Sequence, residues 1–360
     1  MKCIFAAGGT GGHIQPAIAL ASELIESIPN AEVLFLGGRR SQESEWIKAA
    51  GFEFLSVECS PLGGGLKGLT APPKMAWGTL QCVRILRKFR PDAVVGFGGY
   101  TSFPPLVASY LLRVPRVLLE QNVLPGRTNR WMARMVNEVH SQWLESREHI
   151  DGRTRFFHSG NPVRRSILDR VERSASSRSL LVMGGSQGSE AVNKMMIEAA
   201  DQIGSEHPEL EIIHLTGPCL LDEVRQAYAS AGLQAEVHEY LTNMAGAYRK
   251  ASFALCRAGG TTIAELMAVG LPAILVPYPY AADDHQRKNA MAVQSHGAGF
   301  CLDEFTSDGQ TIADLIHNLL STPSLLDSLR QKTHSLAIPD ASQRILGHLS
   351  DLVHSTRESS

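Results

Sequence analysis

Residues 4–12, IFAAGGTGG, and residues 180–188, LLVMGGSQG, open the two halves of the chain in the same way. In each stretch an apolar run of β-strand type leads into Gly-Gly-[Thr/Ser]-x-Gly, and a helical stretch follows. A strand that runs through a glycine turn into a helix is typical of the start of a doubly wound α/β domain. The repeat therefore predicts two such domains in one chain.

Short apolar runs alternate with helical stretches over most of the 360 residues. The strand candidates are CIFAA, VLFLGG, FEFLSVE, AVVGFGG, RVLLEQN and EVHSQW in the first half, and SLLVMGG, EIIHLTG, AEVHEY, SFALCRAGG and PAILVPYP in the second. The predicted helices span residues 15–28, 41–50, 73–90, 102–112, 126–136, 188–203, 219–231, 261–269, 284–296 and 309–320. This alternation indicates βαβ units and parallel sheets.

The predicted fold is therefore α/β, with two Rossmann-like doubly wound domains whose parallel sheets face an interdomain cleft. We assign residues 1–165 to the first domain and residues 179–340 to the second. A polar, Ser- and Arg-rich linker covers 166–178, and a C-terminal helix or tail at 341–360 can pack back on the first domain. Ligands of open α/β sheets bind beyond the carboxyl ends of the strands, so the cleft is the expected site.

The composition excludes several classes of protein. Lys and Arg number 34 against 36 Asp and Glu, and this balance argues against binding nucleic acid by bulk attraction. Six scattered cysteines without a C-x-x-C pair are typical of buried thiols in a reducing compartment. Residues 93–112 carry no charge, but glycines and prolines divide the stretch, so we expect a strand and a helix rather than a membrane span.

The first glycine loop, Gly8–Gly12, is a candidate anion site because glycines permit close approach and the following helix directs its positive end at the loop. An NAD site would need an acid after the second strand, which here ends in LFLGGRR. Arg39 and Arg40 leave an NADP 2′-phosphate possible. His13 closes the loop, either as a locally hydrogen-bonded residue or as a general base for an attacking hydroxyl.

The second half contains a more specific constellation, RAGGTTIAE, at residues 257–265. The amides of Gly260 to Thr262 can cap a diphosphate, and the Glu265 carboxylate can accept two ribose hydroxyls. The alternative is an ordinary helix start with a Thr N-cap and a capping-box Glu. Downstream, the polar cluster at residues 283–286 suits sugar hydroxyls better than a metal ion.

Seven motifs occur in order along the chain: GGTGGH, GFGGY, EQN…PG…NR, SGNPVR, GGSQG, RAGGTT…E and PYPYAADDHQ…NA. Together they resemble the UDP-N-acetylglucosamine–N-acetylmuramyl-(pentapeptide) pyrophosphoryl-undecaprenol N-acetylglucosamine transferases of peptidoglycan synthesis, over roughly residues 3–320. The resemblance implies the GT-B fold and an inverting glycosyltransferase that needs no metal or other cofactor. It implies UDP-GlcNAc as donor and undecaprenyl-pyrophosphoryl-MurNAc-pentapeptide as acceptor, whose 4-hydroxyl attacks.

The resemblance also implies a role for individual residues. His13 is the catalytic base, Asn122 lies near the transferred sugar, and Leu241 presents backbone groups to uracil. Arg164 and Ser186 contact the nucleotide, and Gln286 holds the GlcNAc hydroxyls. The complete set implied for the donor is Thr10, Gly11, Gly12, Asn122, Arg164, Ser186, Leu241, Gly260, Thr261, Thr262, Glu265 and Gln286.

A lipid-linked acceptor requires contact with a membrane, and the sequence supports this independently. From Cys59 to Pro91 there is no acidic residue, whereas six residues are basic and apolar side chains are interleaved. Such a surface binds anionic lipid, although an ordinary helix with one solvated face is the alternative. The predicted acceptor and membrane face comprises Lys67, Leu69, Lys74, Met75, Trp77, Gly99 and Tyr100. We therefore expect a peripheral protein at the cytoplasmic face of the inner membrane.

Three other functions remain open at this stage. A different GT-B glycosyltransferase would share the donor half and act on a glycolipid or a small aglycone. An NADP-dependent oxidoreductase would use Arg39 and Arg40, and a UDP-sugar-binding module would lack catalysis. Release of UDP that depends on the lipid-linked muramyl acceptor distinguishes the predicted GlcNAc transferase from these three alternatives.

Overall fold

The structure is a computed structural model that describes residues 1–9, 11–39, 41–60, 66–168, 178–185 and 187–358, without the side chains of Ser41, Gln42 and residues 66–70. The chain divides into two compact units. Unit 1 consists of Met1–Arg164 and Ile338–Ser360, and unit 2 consists of Arg165–Ala337.

The described part of the chain forms thirteen strands: β1 Lys2–Ala6, β2 Glu32–Gly37, β3 Glu53–Ser56, β4 Ala93–Gly96, β5 Arg116–Glu120, β6 Glu138–Ser141, β7 Arg155–His158, β8 Ser179–Met183, β9 Glu211–Leu215, β10 Gln234–His238, β11 Phe253–Cys256, β12 Ala273–Leu275 and β13 Gly299–Cys301.

Over the same residues the α-helices are α1 Gly11–Ser27, α2 Ser41–Ala49, α3 Leu66–Phe89, α4 Phe103–Leu111, α5 Arg127–Met132, α6 Arg165–Leu168, α7 Glu190–Glu206, α8 Leu221–Ser230, α9 Met244–Lys250, α10 Gly260–Ala268, α11 His285–Ser295, α12 Gly309–Ser321, α13 Pro323–Ser335 and α14 Ala341–Glu358.

Unit 1 contains a seven-stranded parallel sheet in the order β3-β2-β1-β4-β5-β6-β7. The central strands read as continuous apolar runs because helices cover both faces of the sheet. The strand order reverses between β1 and β4, where Ala6 pairs with Gly96. In open α/β sheets a ligand crevice forms at the carboxyl ends of the strands at such a point. Both glycine-rich segments of the unit, 8–12 and 96–99, follow these two strands.

The last helix belongs to the hydrophobic core of unit 1. Ile345 and Leu349 of α14 are fully buried in one cluster with Leu20 and Leu24 of α1. Full burial of one such side chain stabilises a fold by about 1.5–3 kcal/mol, so α14 contributes substantially to the stability of the unit. The opposite face of the sheet is covered by a second cluster that includes Cys82 and Leu86 of α3.

Unit 2 contains a six-stranded parallel sheet in the order β10-β9-β8-β11-β12-β13. Its strand order reverses between β8 and β11, where Met183 pairs with Cys256. The loop at 184–188 follows β8, and the RAGG segment at 257–260 follows β11. The second repeat of the sequence therefore lies at the same topological position in unit 2 as the first does in unit 1.

The predicted strands are all found, whereas β7 and β13 were not predicted. Both are sheet-edge strands with few buried residues, so neither shows a continuous apolar run. Helices α6, α9 and α13 were also missed, and α6 includes residues 166–168 of the predicted linker. Two predicted helices begin earlier than expected: α1 begins at Gly11 and α3 begins at Leu66. No helix among the described residues has both the length and the apolar character needed to cross a membrane.

The six cysteines are free thiols, and only half of them are buried as predicted. Burial raises the pKa of Cys3 and of Cys256 to about 12. Cys59, Cys219 and Cys301 are partly exposed. The prediction that the thiols are uniformly buried is therefore wrong for these three, which lie in loops or at a sheet edge rather than in central strands.

Candidate active site

His13 lies in the first turn of α1, directly after the glycine loop. Its Nδ1 is 3.2 Å from the carbonyl oxygen of Gly8. Because a carbonyl oxygen only accepts hydrogen bonds, Nδ1 carries the proton in this contact, and the lone pair of the neutral ring is on Nε2. The half-buried ring therefore has its basic nitrogen on the side away from the Gly8 carbonyl.

Two glycines after β4 pack against this imidazole. A Cβ atom on Gly98 would lie 3.3 Å from His13 Nε2, and one on Gly99 would lie 3.3 Å from His13 Cε1. Both glycines have positive φ angles, of 99° and 72°, which disfavour any other residue. The motif GFGGY thus forms one wall of the space around the candidate base, and Tyr100 follows it at the start of a short 3-10 helix.

A buried carboxylate organises the next segment. Glu120 ends β5 and is 2% exposed. Its Oε1 accepts hydrogen bonds from the backbone N–H and the Nδ2 of Asn122, at 2.9 and 3.0 Å. Its Oε2 accepts from Asn129 Nδ2 at 2.6 Å, and Asn129 Oδ1 accepts from the Gly99 N–H. Burial raises the pKa of Glu120, and these hydrogen bonds oppose the shift.

This network links Asn122, a predicted sugar-side residue, to the glycine pair beside His13. The Glu120 carboxylate fixes the orientation of the Asn122 amide and, through Asn129, the position of Gly99. The sequence analysis named Asn122 but not Glu120 or Asn129. Both occur in the quoted motif EQN…PG…NR, so the signal was present although their roles were not assigned.

Glu43 of α2 is a second residue that the sequence analysis missed. It is 4% exposed, and its Oε1 accepts a hydrogen bond of 2.7 Å from the Gly9 N–H. A Cβ atom on Gly8 would lie 2.8 Å from Glu43 Oε2, so a larger residue there would displace this carboxylate. The Gly9 amide is thus bonded to a protein carboxylate and does not contribute to an anion cradle. Thr10 lies outside the described residues, and Gly11 and Gly12 form the start of α1.

In unit 2, α10 begins at Gly260 and has Gly259 as its N-cap, without a side-chain cap. Thr261 and Thr262 lie within the first turn. Glu265 is the sixth helical residue, and a capping-box acid would be the third. The alternative of a capping box is therefore wrong. A helix N-terminus without a side-chain cap is suited to hold a diphosphate.

Glu265 is 8% exposed, and its orientation is set by a tyrosine of α9. The hydroxyl of Tyr248 donates a hydrogen bond of 2.8 Å to Glu265 Oε2. The same hydroxyl lies 3.9 Å from the sulfur of Met183, the last residue of β8. Tyr248 is 1% exposed. It therefore connects the predicted ribose residue to the strand that leads into the GGSQG loop, of which Ser186 lies outside the described residues.

The segment after β11 is fixed by hydrogen bonds from two sides. Arg257 is buried, donates to the carbonyls of Val276 and Pro277, and forms an ion pair with Glu304. Asn289 of α11 is fully buried, and its Nδ2 donates to the carbonyl of Ala258 at 3.1 Å. Together these contacts hold the turn that precedes α10.

Gln286 is half-exposed, and its Oε1 accepts a hydrogen bond of 2.9 Å from the Tyr278 N–H. The neighbouring residues do not form a metal site: among the described residues, Asp283, Asp284 and His285 do not bring three ligand atoms together. The Nδ1 of His285 instead lies 2.7 Å from the Ala282 carbonyl oxygen.

The remaining predicted donor residues, Leu241 and Arg164, lie in segments between secondary-structure elements. Leu241 is half-buried in the segment between β10 and α9, and Arg164 is the half-buried last residue before unit 2. The NADP alternative gains no support. Arg39 forms an ion pair of 2.7 Å with Glu58, and Arg40 lies outside the described residues.

Helix α3 has two distinct faces. The buried face includes Met75, Cys82 and Leu86. The sulfur of Met75 lies 3.4 Å from the Ser60 amide nitrogen. The prediction that Met75 is an exposed membrane contact is therefore wrong. Met75 follows the exposed Lys74, and one position along a helix turns the side chain onto the buried face. That stripe consists of Lys74, Trp77, Leu80, Arg84, Arg87 and Lys88. Lys67 and Leu69 lie in α3, but their side chains are not among those that the structure describes.

The exposed stripe combines apolar and cationic groups. Trp77 and Leu80 are 48% and 53% exposed. The guanidinium of Arg84 lies 5.8 Å from the centre of a Trp77 ring, within the range of a cation–π contact. A helix face of this composition is typical of proteins that bind to the surface of anionic membranes.

Comparison with known proteins supports a glycosyltransferase. Residues 3–141 match the glycosyltransferase family 28 N-terminal domain, and residues 179–345 match the glycosyltransferase family 28 C-terminal domain. The chain is 38% identical to the UDP-N-acetylglucosamine--N-acetylmuramyl-(pentapeptide) pyrophosphoryl-undecaprenol N-acetylglucosamine transferase of Geobacter sulfurreducens, over 99% of this chain and 100% of that protein. It is 39% identical to the transferase of the same name from Myxococcus xanthus, over 99% of this chain and 94% of that protein.

Solved structures show the same fold. The crystal structure of Acinetobacter baumannii MurG matches with a TM-score of 0.78 and 26% identity, over 97% of this chain and 99% of that one. The UDP-GlcNAc 2-epimerase of Neisseria meningitidis, bound to UDP-GlcNAc, matches with a TM-score of 0.67 and 14% identity, over 98% and 100% of the two chains. The second match shows a shared fold alone. Two Rossmann-like parallel-sheet domains of the GT-B type, as predicted, are thus confirmed.

Proposed function

Because the chain belongs to the family of UDP-N-acetylglucosamine--N-acetylmuramyl-(pentapeptide) pyrophosphoryl-undecaprenol N-acetylglucosamine transferases, we propose that it transfers N-acetylglucosamine from UDP-GlcNAc to undecaprenyl-pyrophosphoryl-MurNAc-pentapeptide. The product is the lipid-linked disaccharide of peptidoglycan synthesis. Both glycosyltransferase family 28 domains are present in the chain, so the full reaction is assigned to one polypeptide.

The proposed reaction is a single displacement with inversion. The 4-hydroxyl oxygen of the muramyl sugar attacks C1 of N-acetylglucosamine and forms the new C–O bond. The bond between C1 and the phosphate oxygen breaks, and its electron pair leaves with UDP. The hydroxyl proton passes to the protein. A base positioned for this transfer contributes typically 10²–10⁴-fold to the rate.

The observation that carries this assignment is the environment of His13. Its Nδ1 faces the Gly8 carbonyl oxygen, which directs the proton to Nδ1 and leaves Nε2 as the basic atom. The ring lies at the carboxyl ends of β1 and β4, where the strand order of the sheet reverses. A neutral imidazole whose Nδ1 carries the proton is suited to accept the proton of the attacking hydroxyl at Nε2.

We assign the donor to unit 2. The N-terminus of α10, at Gly260, Thr261 and Thr262, would bind the diphosphate, and Glu265 would accept hydrogen bonds from the ribose hydroxyls. The start of α10 at Gly260, directly after the glycine N-cap Gly259, and the hydrogen bond from Tyr248 to Glu265 support these roles. As UDP leaves, its charge is stabilised by the α10 amides, which are fixed before the reaction begins. The donor roles that the family resemblance implies for Thr10, Gly11, Gly12, Asn122, Arg164, Ser186, Leu241 and Gln286 stay predictions.

We assign binding of the membrane surface to α3, with the protein held peripherally at the cytoplasmic face. The exposed stripe supports this, because Trp77 and Leu80 can enter the headgroup region while Arg84 faces anionic lipid. Each cation near such a surface contributes about 1 kcal/mol. Gly99 and Tyr100 remain candidates for contact with the acceptor sugar.

The deciding experiment measures release of UDP from UDP-GlcNAc with and without the undecaprenyl-linked muramyl acceptor. We expect release only when the acceptor is present, together with incorporation of GlcNAc into the lipid fraction. Release of UDP without the acceptor would indicate hydrolysis of the donor instead. A small aglycone that replaces the lipid acceptor at equal kcat/KM would assign the chain to another glycosyltransferase activity.

A further inference from the structure

Three potential metal ligands meet in unit 2, at the end of α7 and on α12. Glu206 is the last residue of α7, His207 follows it, and His317 lies on α12. One ligand atom from each lies within 4.8 Å of the other two. His207 Nε2 is 3.2 Å from His317 Nδ1, and Glu206 Oε2 is 2.7 Å from the same Nδ1. These residues have no part in the proposed transfer reaction.

The contacts of this cluster bring two acceptors to one ring nitrogen, His317 Nδ1. His207 Nε2 lies 3.2 Å from it and Glu206 Oε2 lies 2.7 Å from it, while His207 Nδ1 is 3.6 Å from Glu209, beyond hydrogen-bond distance. A hydrogen on His317 Nδ1 would be shared between His207 Nε2 and Glu206 Oε2. A divalent cation at this position would accept a lone pair from each of the three atoms, whereas one hydrogen serves two acceptors poorly.

The distance between the two imidazole nitrogens suits a tetrahedral ion of the zinc class, whereas the 2.7 Å between Glu206 Oε2 and His317 Nδ1 would have to lengthen when an ion binds. Zinc binds imidazole nitrogen at about 2.0–2.1 Å, and two ligands of a tetrahedron with such bonds are about 3.3 Å apart. The separation of the two imidazole nitrogens, 3.2 Å, is close to that value. The side chains of His317 and Glu206 are 51% and 36% exposed, so water can supply the fourth ligand.

The outer contacts of the ligands are those that metal-binding residues use. His207 Nδ1 faces the Glu209 carboxylate, and His317 Nε2 lies 3.4 Å from Ser321 Oγ. Glu206 Oε1 accepts a hydrogen bond of 3.0 Å from Gln202. Partners of this kind fix the ring orientation and the tautomer of a metal-ligating histidine.

The two helices are already aligned at this point. Glu198 of α7 accepts a hydrogen bond from the Gly309 N–H at the start of α12, and Gln202 lies 3.3 Å from Asp314. The contact between Glu206 and His317 is the next one between α7 and α12, one turn further along each helix. The site thus joins two elements whose positions are set by other contacts, so little chain entropy is lost when an ion binds.

We propose that Glu206, His207 and His317 form a binding site for a zinc-class divalent transition-metal ion that links the end of α7 to α12. The ligand atoms are Glu206 Oε2, His207 Nε2 and His317 Nδ1, with one water. The role is structural: the ion binds the folded unit and stabilises it.

The test is calorimetric titration of the chelator-treated full chain with zinc sulfate, repeated for His317→Ala and for His238→Ala. His238 is the matched control because it is a half-exposed histidine of the same unit with one carboxylate, Glu236, at 3.9 Å, and among the described residues it belongs to no group of three possible ligands. We expect the wild type and His238→Ala to bind one ion more than His317→Ala. A Co²⁺ complex of the wild type should show the absorption of tetrahedral cobalt, and His317→Ala should lack it.

Thermal unfolding gives a second measurement that is independent of transferase activity. At a zinc concentration 100 times the Kd, we expect the Tm of the wild type to rise by about 5–10 °C and that of His317→Ala to stay unchanged, while magnesium has no effect on either. Equal zinc stoichiometry in the wild type and His317→Ala would overturn the proposal and assign the ion to the partly exposed cysteines. Because His317 is half-exposed, its replacement should leave the fold intact.

Discussion

Replacement of Tyr248 by phenylalanine removes one hydroxyl from a site that is otherwise closed to solvent. Tyr248 and Glu265 are 1% and 8% exposed, so water cannot readily replace the lost donor at Glu265 Oε2. A hydrogen bond to a charged group contributes about 1.5–3 kcal/mol. For a domain the size of unit 2, this corresponds to a decrease in Tm of roughly 3–12 °C.

The same substitution should weaken UDP binding. The carboxylate of Glu265 loses the contact that sets its orientation toward a ribose, but it keeps its charge and its place on α10. We therefore expect a UDP Kd about 3–10-fold higher in Tyr248→Phe, equivalent to about 0.7–1.4 kcal/mol. KM for UDP-GlcNAc should rise by a similar factor, whereas kcat at saturating donor should change little.

A double-mutant cycle distinguishes a positioning role from a general loss of stability. If Tyr248 acts through Glu265, Tyr248→Phe has no effect on UDP affinity when Glu265 is already alanine. Tyr228→Phe is the control, because this tyrosine is equally buried in the same unit and bonds to His214 instead. An equal loss of UDP affinity from Tyr248→Phe in both backgrounds, measured by calorimetry, would refute the reasoning.

Three further predictions concern other parts of the molecule. His13→Ala should lower kcat by about 10²–10⁴-fold with unchanged UDP-GlcNAc affinity; wild-type turnover would remove this residue from the mechanism. The double change Trp77→Ala and Leu80→Ala should reduce co-sedimentation with phosphatidylglycerol vesicles at least about 10-fold, because each exposed apolar side chain contributes about 1.5–3 kcal/mol when buried; the exposed Leu144→Ala is the control, and equal losses would contradict the α3 assignment. Burial lowers the pKa of His214 to about 3, so its contribution to stability is present above pH 6.5 and is lost as the pH falls toward 3; denaturant titrations should show a flatter dependence over this range for His214→Gln, and identical slopes would count against the assignment.

The central elements of both sheets could be predicted because their strands are buried on both faces. After one polar residue, β1 and β8 each contain four consecutive apolar residues and lead into glycines, and such runs have few other interpretations. The edge strands β7 and β13 were not predictable in this way, since they are short and contain partly exposed residues. In α3, the run of basic and apolar residues without an acid did not show which of them face solvent, and Met75 is buried because one position along a helix rotates a side chain by about 100°.

The candidate site was predictable where its function depends on local sequence. The glycine loops, His13 and the RAGGTT segment combine a strand end, a turn and a helix start within a few residues. Glu43 and Tyr248 could not be found in this manner, because their partners, Gly9 and Glu265, are 34 and 17 residues away. Nothing in the periodicity of α2 or α9 distinguishes a polar group that supports a functional loop from one that faces solvent.

The discontinuous composition of unit 1 has a consequence for synthesis on the ribosome. The strands of its sheet emerge first, but α14, which covers Leu20 and Leu24, emerges after all of unit 2. At about 5–20 residues per second, translation of the intervening segment takes roughly 10–35 s. During that interval Leu20 and Leu24 lack the cover that α14 provides in the folded unit. A chaperone or a premature self-association would be expected to act on this apolar surface, and deletion of α14 should make its exposure permanent.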